Sequence, residues 1–196
     1  MPTTTLRALN GFDETPASLA GATLILIDYQ NTYVGGVMEL AGWRAALESG
    51  AALLERARAA GAKVVHVVND GGAGTPYDIR AEIGRIHPSV APLEGEPVVV
   101  KRVPDAFVGT DLAEHLDAAG HQDVIVAGFM THLCVAFTAA GAFLRGNRPT
   151  VVADACATRP LASAVGELTA EQLHQGALAT IADLYGVVVP SHTSLS

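Results

Sequence analysis

The sequence predicts an α/β fold: a three-layer, doubly wound parallel sheet of six strands with helices on both faces. Three observations carry this. Apolar and helix-patterned segments alternate as β-α-β-(α)-β-α-β-α-β-α-β, the signature of a chain that crosses back repeatedly over one parallel sheet. The strand segments are continuous apolar runs, such as TLILI at 23–27 and VIVA at 124–127. Such runs suit strands covered on both faces. Glycines stop the helix patterns at Gly61, Gly120 and Gly186, where a left-handed or open cap ends a helix cheaply.

The elements follow in order. Residues 1–22 carry Gly11, Pro16 and Gly21 and read as an extended arm over the surface or a neighbouring subunit. Thr23–Ile27 is the first strand, ended by Asp28, and Tyr29 to Glu39 is loop. A helix from about Gly42 to Ala60 presents Leu47, Gly50/Ala51, Leu54 and Ala57 on one face. Lys63–Asn69 is the second strand. The connection 70–97 is glycine- and proline-rich, with a short helix expected at Ile79–Ile86, and long loops of this kind often border binding sites. Pro97–Val100 is the third strand, closed by Lys101, and Asp111–Ala119 a short helix with Thr110 as N-cap. The fourth strand is 123–127, with a helix from about 132 to 145. Thr150–Ala153 is the fifth strand, Asp154 to Gly166 loop, and Thr169 caps a helix to about Leu184. Val187–Val189 is the sixth strand. No repeat or linker marks a second domain, so residues 1–196 read as one.

Composition limits the function. At 196 residues the chain supports one full core. A net charge of −8 argues against nucleic acid and against an anionic membrane surface. Two cysteines, Cys134 and Cys156, make no disulfide framework. The start, MPTTTLRALN, lacks a signal peptide pattern, and no run approaches the ~18 apolar residues of a membrane span. The expectation is a cytoplasmic protein.

Three polar residues follow the apolar runs at matching points: Asp28 after strand one, Lys101 after strand three, Cys134 after strand four. In an open parallel sheet all carboxyl ends share one rim, and ligands bind there at the topological switch point. With strand order 3-2-1-4-5-6, Asp28 and Cys134 flank that point. Lys101 lies two strand spacings from Asp28, about 9–10 Å, a gap its long side chain can cross. A thiol at the start of a helix, beside an ammonium, has its thiolate stabilised. Asp28 can accept the thiol proton and return it to a leaving group. This is the set of a cysteine hydrolase working through a thioester. The competing readings are plain: a buried hydrophobe for Cys134, a turn residue for Asp28, a solvated charge for Lys101. Cys156, in DACATRP, has no helix start near it and reads as structural.

These residues sit in segments that together resemble the isochorismatase-like cysteine hydrolases: LILIDYQNTY at 24–33, VVVKRVPDAFVGTDL at 98–112 and VIVAGFMTHLCVAFTA at 124–139. VVADACAT at 151–158 and HQGALATIADLYG at 174–186 also fit. The resemblance spans nearly the whole chain from about residue 22. It implies the six-stranded sheet in the order above and a catalytic set on Asp28, Lys101 and Cys134. It also implies a cis peptide at Met130–Thr131, and an oxyanion hole from the backbone N–H groups of Thr131 and Cys134. The activities it implies are hydrolysis of small amides and related C–N bonds or, alternatively, of a vinyl ether as in isochorismatase. A non-catalytic binding protein on the same fold is the other alternative.

Departures narrow the choice. Nicotinamidases of this family hold a metal through Asp-x-His and a further His after strand two, where this chain reads NDGGAGTPYDIR. His66 lies inside a strand and His87 stands alone, so neither a metal nor any other cofactor is expected. Arg80, Arg85 and Arg102 read as surface residues rather than clamps for a dianion. Neither G-x-G-x-x-G nor a P-loop follows strand one, and a phosphatase's second Asp is replaced by Gln30. Tyr33, Phe107 and His132 are the candidate substrate-binding residues, each placed near the nucleophile by its motif; loop packing or capping is the alternative for each. This pocket suits a small neutral, partly planar amide, with 70–76 as a mobile rim. Phe137, Phe143 and Leu144, with the resemblance, lead to the expectation of a homo-oligomer, at least a dimer.

Overall fold

The structure is a computed structural model and describes residues 3–196. β1 (Thr23–Ile27), β2 (Lys63–Asn69), β3 (Val98–Lys101), β4 (Asp123–Phe129), β5 (Arg148–Ala157) and β8 (Val187–Val189) form one parallel sheet in the order β3-β2-β1-β4-β5-β8. That is the expected six-strand order. The last strand is eighth in the chain because a separate antiparallel hairpin, β6 (Leu161–Ser163) with β7 (Gly166–Leu168), precedes it. α2 (Trp43–Ala59), α3 (Leu112–Ala119), α4 (Ala136–Leu144) and α5 (Ala170–Thr180) surround the sheet. No helix of the described residues is long and apolar enough to cross a membrane.

β1 is buried along its whole length and divides the core by alternation. Leu24 and Leu26 pack with Leu47, Leu54 and Ala57 of α2 in one cluster. Ile25 and Ile27 pack with Leu112 and Leu116 of α3 and Ala139 and Ala142 of α4 in the other. Burial on both faces is what the unbroken apolar runs require. Beside β1, Gly128 has φ +138, and a Cβ there would stand 2.0 Å from the Ile27 carbonyl oxygen. Only glycine lets β4 approach β1 so closely just below the rim.

Several elements differ from the sequence reading. Ile79–Ile86 is not a helix beyond the single 3-10 turn Glu82–Gly84. The Asp78 carboxylate accepts from Gly74 N and Arg80 N, a local alternative that competes with helical bonding. β5 runs on past Ala153 to Ala157, and between Val126 and Gly128 its register against β4 slips, Gly128 pairing with Cys156. The small residues Ala155, Cys156 and Ala157 are buried there, but Ala and Asp are weak strand signals. The helix expected from 132 is a π-turn, Thr131–Val135, followed by α4. The arm carries a one-turn helix, α1 (Leu6–Leu9), held to the chain's own C-terminal region by Leu6 N to Asp183 Oδ1 and Arg7 to the Leu184 carbonyl. Its first two residues lie outside the described residues.

Candidate active site

Asp28 is the first residue beyond β1 and has φ +50, left-handed without being glycine. Its N–H donates to the Val67 carbonyl of β2 and its carbonyl accepts from Gln30 N, so the backbone is held from both sides of this turn. The side chain is fully buried. Lys101 ends β3 opposite Asn69, and its buried side chain passes across the end of β2. Its ammonium lies 2.8 Å from Asp28 Oδ2 and donates to Cys134 Sγ at 3.2 Å. Three residues separated by most of the chain thus meet at the carboxyl rim. The contact to Oδ2 is an ion pair off hydrogen-bond alignment, and Asp28 Oδ1 has no donor among the described residues.

The electrostatics depart from the sequence expectation in one respect. Burial and then the Asp28 carboxylate push the Cys134 thiol up to about 12, and Lys101 offsets only part of that. The expected net lowering is not seen, because depth outweighs one ammonium. Burial also raises Asp28 against the pull of Lys101. Burial works against the charge on Lys101, but Asp28 and Cys134 outweigh it and hold it raised. The Lys101 ammonium thus stands beside a carboxyl group and a thiol whose charged forms burial disfavours.

Cys134 sits in the π-turn. Leu133 N and Val135 N both donate to the Met130 carbonyl, whereas the Thr131 amide has no protein acceptor among the described residues. Thr131 is buried, and its Oγ1 lies 2.9 Å from His174 Nδ1. The cis bond lies at Phe129–Met130, not at Met130–Thr131 as the resemblance implies. β4 pairs through Phe129 with Ala157, so the chain leaves the sheet at Met130 rather than at Thr131.

The pocket candidates separate. Tyr33 is buried, edge-on to Phe129 and to Tyr77 at 5.8 Å between centroids in each case. Burial first, then the nearby Asp28 charge, holds its hydroxyl protonated. His132 is half-buried and shares a hydrogen bond of 2.5 Å with Thr158 Oγ1. Phe107 packs on the core cluster that includes Cys134, with the Arg145 guanidinium over its ring at 5.3 Å from the centroid. Ala106 N donates to Thr138 Oγ1, which ties that loop to the first turn of α4.

Tyr77, Arg159 and His174 were not singled out from the sequence. Arg159 forms no ion pair among the described residues, and its buried Nε has no acceptor. Its charge is felt at both His132 and Tyr77. The rule that found Asp28 and Lys101 also finds Thr158–Arg159 once β5 is carried to its true end. Arg80, Arg85 and Arg102 pair with Asp78, Glu82 and Asp70 on the surface. Buried His66 lies 3.0 Å from Glu96, and half-buried His87 accepts from Ser89 N. Among the described residues no group of three or more His, Cys, Asp or Glu side chains is placed to hold a metal ion.

A doubly wound parallel sheet with acid, amine and thiol gathered on its carboxyl rim places the protein among the α/β enzymes. The isochorismatase domain matches residues 22–193, and the chain belongs to the isochorismatase family, a family of hydrolases. A crystal structure of an isochorismatase from Pseudomonas putida is similar over 100% of both chains, with 42% identity and a TM-score of 0.95. A secreted isochorismatase effector of Verticillium dahliae is 35% identical over 94% of this chain and 96% of its own. A maleamate amidohydrolase of Pseudomonas putida is 32% identical over 76% of this chain and 75% of its own.

Proposed function

We propose that this protein hydrolyses a small amide or related C–N bond through a thioester on Cys134. The observation that carries this reading is the Lys101 ammonium, 2.8 Å from the Asp28 carboxylate and 3.2 Å from Cys134 Sγ with all three groups buried. Asp28 takes the thiol proton as Sγ attacks the carbonyl carbon, and Lys101 stabilises the thiolate as it forms. The carbonyl oxygen becomes an anion facing the N–H groups of Thr131 and Cys134, a contribution of roughly 3–4 kcal/mol per donor in such sites. Asp28 then protonates the departing nitrogen, the C–N bond breaks and the thioester remains. Water, deprotonated by Asp28, attacks the thioester, and the acid leaves with the thiol restored. No metal or other cofactor enters this scheme.

Tyr33, Tyr77 and His132 supply neutral walls, which agrees with a small planar amide. Arg159 adds a cation with no ion-pair partner among the described residues, so the substrate class that fits best is an amide carrying a single carboxylate; maleamate, named in a relative, is of this kind. The reading also takes the protein to be cytoplasmic, although one relative is a secreted effector, and to be a homo-oligomer.

A panel of primary amides, N-carbamoyl acids, lactams, maleamate and isochorismate, assayed with and without a chelator, tests the reading. Amide hydrolysis insensitive to the chelator is expected. It is expected to be abolished in Cys134→Ala, kept in Cys156→Ala, and weakened through KM in Arg159→Met for acidic amides only. Turnover of isochorismate alone, loss of activity to the chelator, or full activity in Cys134→Ala would overturn it.

A further inference from the structure

We propose that Tyr77 is a specificity-determining residue: it caps the corner between Cys134 and Asp28, so that the enzyme cleaves amides that release ammonia and rejects amides with a substituted nitrogen. The inference rests on the reading above and deepens it, because that reading leaves the leaving group open. The corner is closed from within the sheet. Asp28 has no exposed surface, Lys101 and Tyr33 have almost none, and Cys134 keeps 5%. As the C–N bond breaks, the departing nitrogen must lie within about 2.6–3.2 Å of Asp28 to take its proton. With Asp28, Lys101 and Tyr33 filling the interior, a carbon substituent on that nitrogen has to turn toward the mouth of the site. Tyr77 stands there, half-buried. Its ring lies edge-on to Tyr33 at 5.8 Å between centroids, and Tyr33 lies edge-on to Phe129 at the end of β4. Burial foremost raises the Tyr77 hydroxyl, and the charges of Cys134, Arg159 and Asp28 all reach it.

The segment 70–76, expected to be a mobile rim, is part of a braced loop. Gly71 N donates to the Tyr77 carbonyl, Tyr77 N to Thr75 Oγ1, and Gly74 N to the Asp78 carboxylate. From outside, Thr32 Oγ1, in the turn Asn31–Tyr33 after β1, donates to the Pro76 carbonyl at 2.7 Å. At the base, a Cβ on residue 84 would stand 2.3 Å from the Asp78 carbonyl oxygen, so the turn Glu82–Gly84 packs directly on the loop and glycine is required there. Swinging the Tyr77 ring aside with its loop would exchange these bonds for water. A tyrosine that only filled core would be covered as Tyr33 is. A half-exposed ring on a closed loop, in reach of the nucleophile's charge, serves as a fixed cover.

The test offers each acid of the panel as its primary, N-methyl and N-benzyl amide. Wild type is expected to prefer the primary amide over the N-methyl amide in kcat/KM by about 10-fold or more, the scale on which a closed pocket rejects one extra carbon. Tyr77→Ala should narrow that ratio by about the same factor through a gain on the N-methyl amide. Tyr77→Phe should keep the ratio, because the ring and not the hydroxyl fills the corner. Thr32→Val, which releases Pro76 at nearly constant volume, should narrow it less than Tyr77→Ala. A second readout needs no substrate: alkylation of Cys134 by iodoacetamide and by the bulkier iodoacetanilide, followed on the Cys134 peptide by mass spectrometry, with glutathione as the open reference. Wild type should favour iodoacetamide about 10-fold more than glutathione does, and Tyr77→Ala should return toward the glutathione ratio. An equal amide ratio in wild type and Tyr77→Ala would overturn the role of Tyr77, as would a narrowing that comes only from loss on the primary amide. A wild-type alkylation ratio equal to that of glutathione would overturn the cap. Cleavage of no amide, with the alkylation contrast intact, would instead overturn the amide reading and the restriction built on it, leaving the cap over the thiol in place.

Discussion

At Cys134 two neighbours pull in opposite directions, and burial outweighs the favourable one. The carboxylate of Asp28 raises the thiol and the ammonium of Lys101 lowers it. Removing the carboxylate should therefore make the cysteine more reactive while disabling catalysis. In Asp28→Asn the thiolate becomes the counter-ion of the buried ammonium, and one unit of lowering gives about 10-fold more thiolate wherever pH lies below the pKa. Alkylation at pH 8 is expected to rise by about that factor, while amide hydrolysis falls by about 100-fold or more with loss of the general base. Lys101→Met should slow alkylation instead. Slower or unchanged alkylation in Asp28→Asn would contradict the electrostatic assignment. Which residues compete was legible in the sequence, because Asp28, Lys101 and Cys134 each break an apolar run. The sign of the outcome was not, because it depends on how deeply the rim is covered, and that is decided by loops such as the two that carry Tyr33 and Tyr77.

Among the elements, α2, β2 and β3 are joined by one carboxylate. Glu96, just before β3, receives a two-pronged contact from Arg58 of α2 and lies 3.0 Å from His66 of β2. The Arg58 guanidinium, foremost, holds the Glu96 carboxyl down at about 2 against an ordinary value of 4.5. A lowered acid contributes stability that is fully present above its unfolded value and lost as pH falls through the folded one. The wild-type protein should thus lose up to about 3 kcal/mol between pH 4.5 and 2 from this group. Glu96→Gln should be less stable at pH 7 and show a flatter acid limb in urea titrations. An equally steep limb would assign acid sensitivity elsewhere. Element by element, the strands whose cores are branched and apolar were legible. The end of β5 and the β6–β7 hairpin were not, because Ala155, Cys156 and Ala157 gain their strand conformation from pairing with Gly128 and Phe129 rather than from propensity.

For the whole molecule, one sheet order accounts for both the core and the rim. Lys101 reaches Asp28 only because β2 alone separates their strands. Among the apolar side chains that one copy leaves exposed, several lie on α4 and the β6–β7 hairpin. Phe137 is 52% exposed, Leu144 78% and Val165 98%, while Phe143 is covered by Phe12 and Tyr185. A two-stranded hairpin is only marginally stable by itself in water. A dimer or larger assembly that covers this side is therefore expected, and sedimentation at working concentration checks it. A single species at the chain mass of 20.2 kDa would refute it.

The π-turn has a consequence for how this site can vary. One residue in an α-helix is 100° of rotation. The i-to-i+5 closure from Val135 to Met130 is a phase slip of one residue placed around the thiol. Below it, α4 keeps Ala139 and Ala142 against the sheet; within it, Cys134 takes its own bearing toward Lys101. Helix packing and nucleophile aim are therefore separate coordinates, and drift in one need not be corrected in the other. Shortening the turn by a single residue would lock the two together, so that either the thiol or the helix face would point the wrong way.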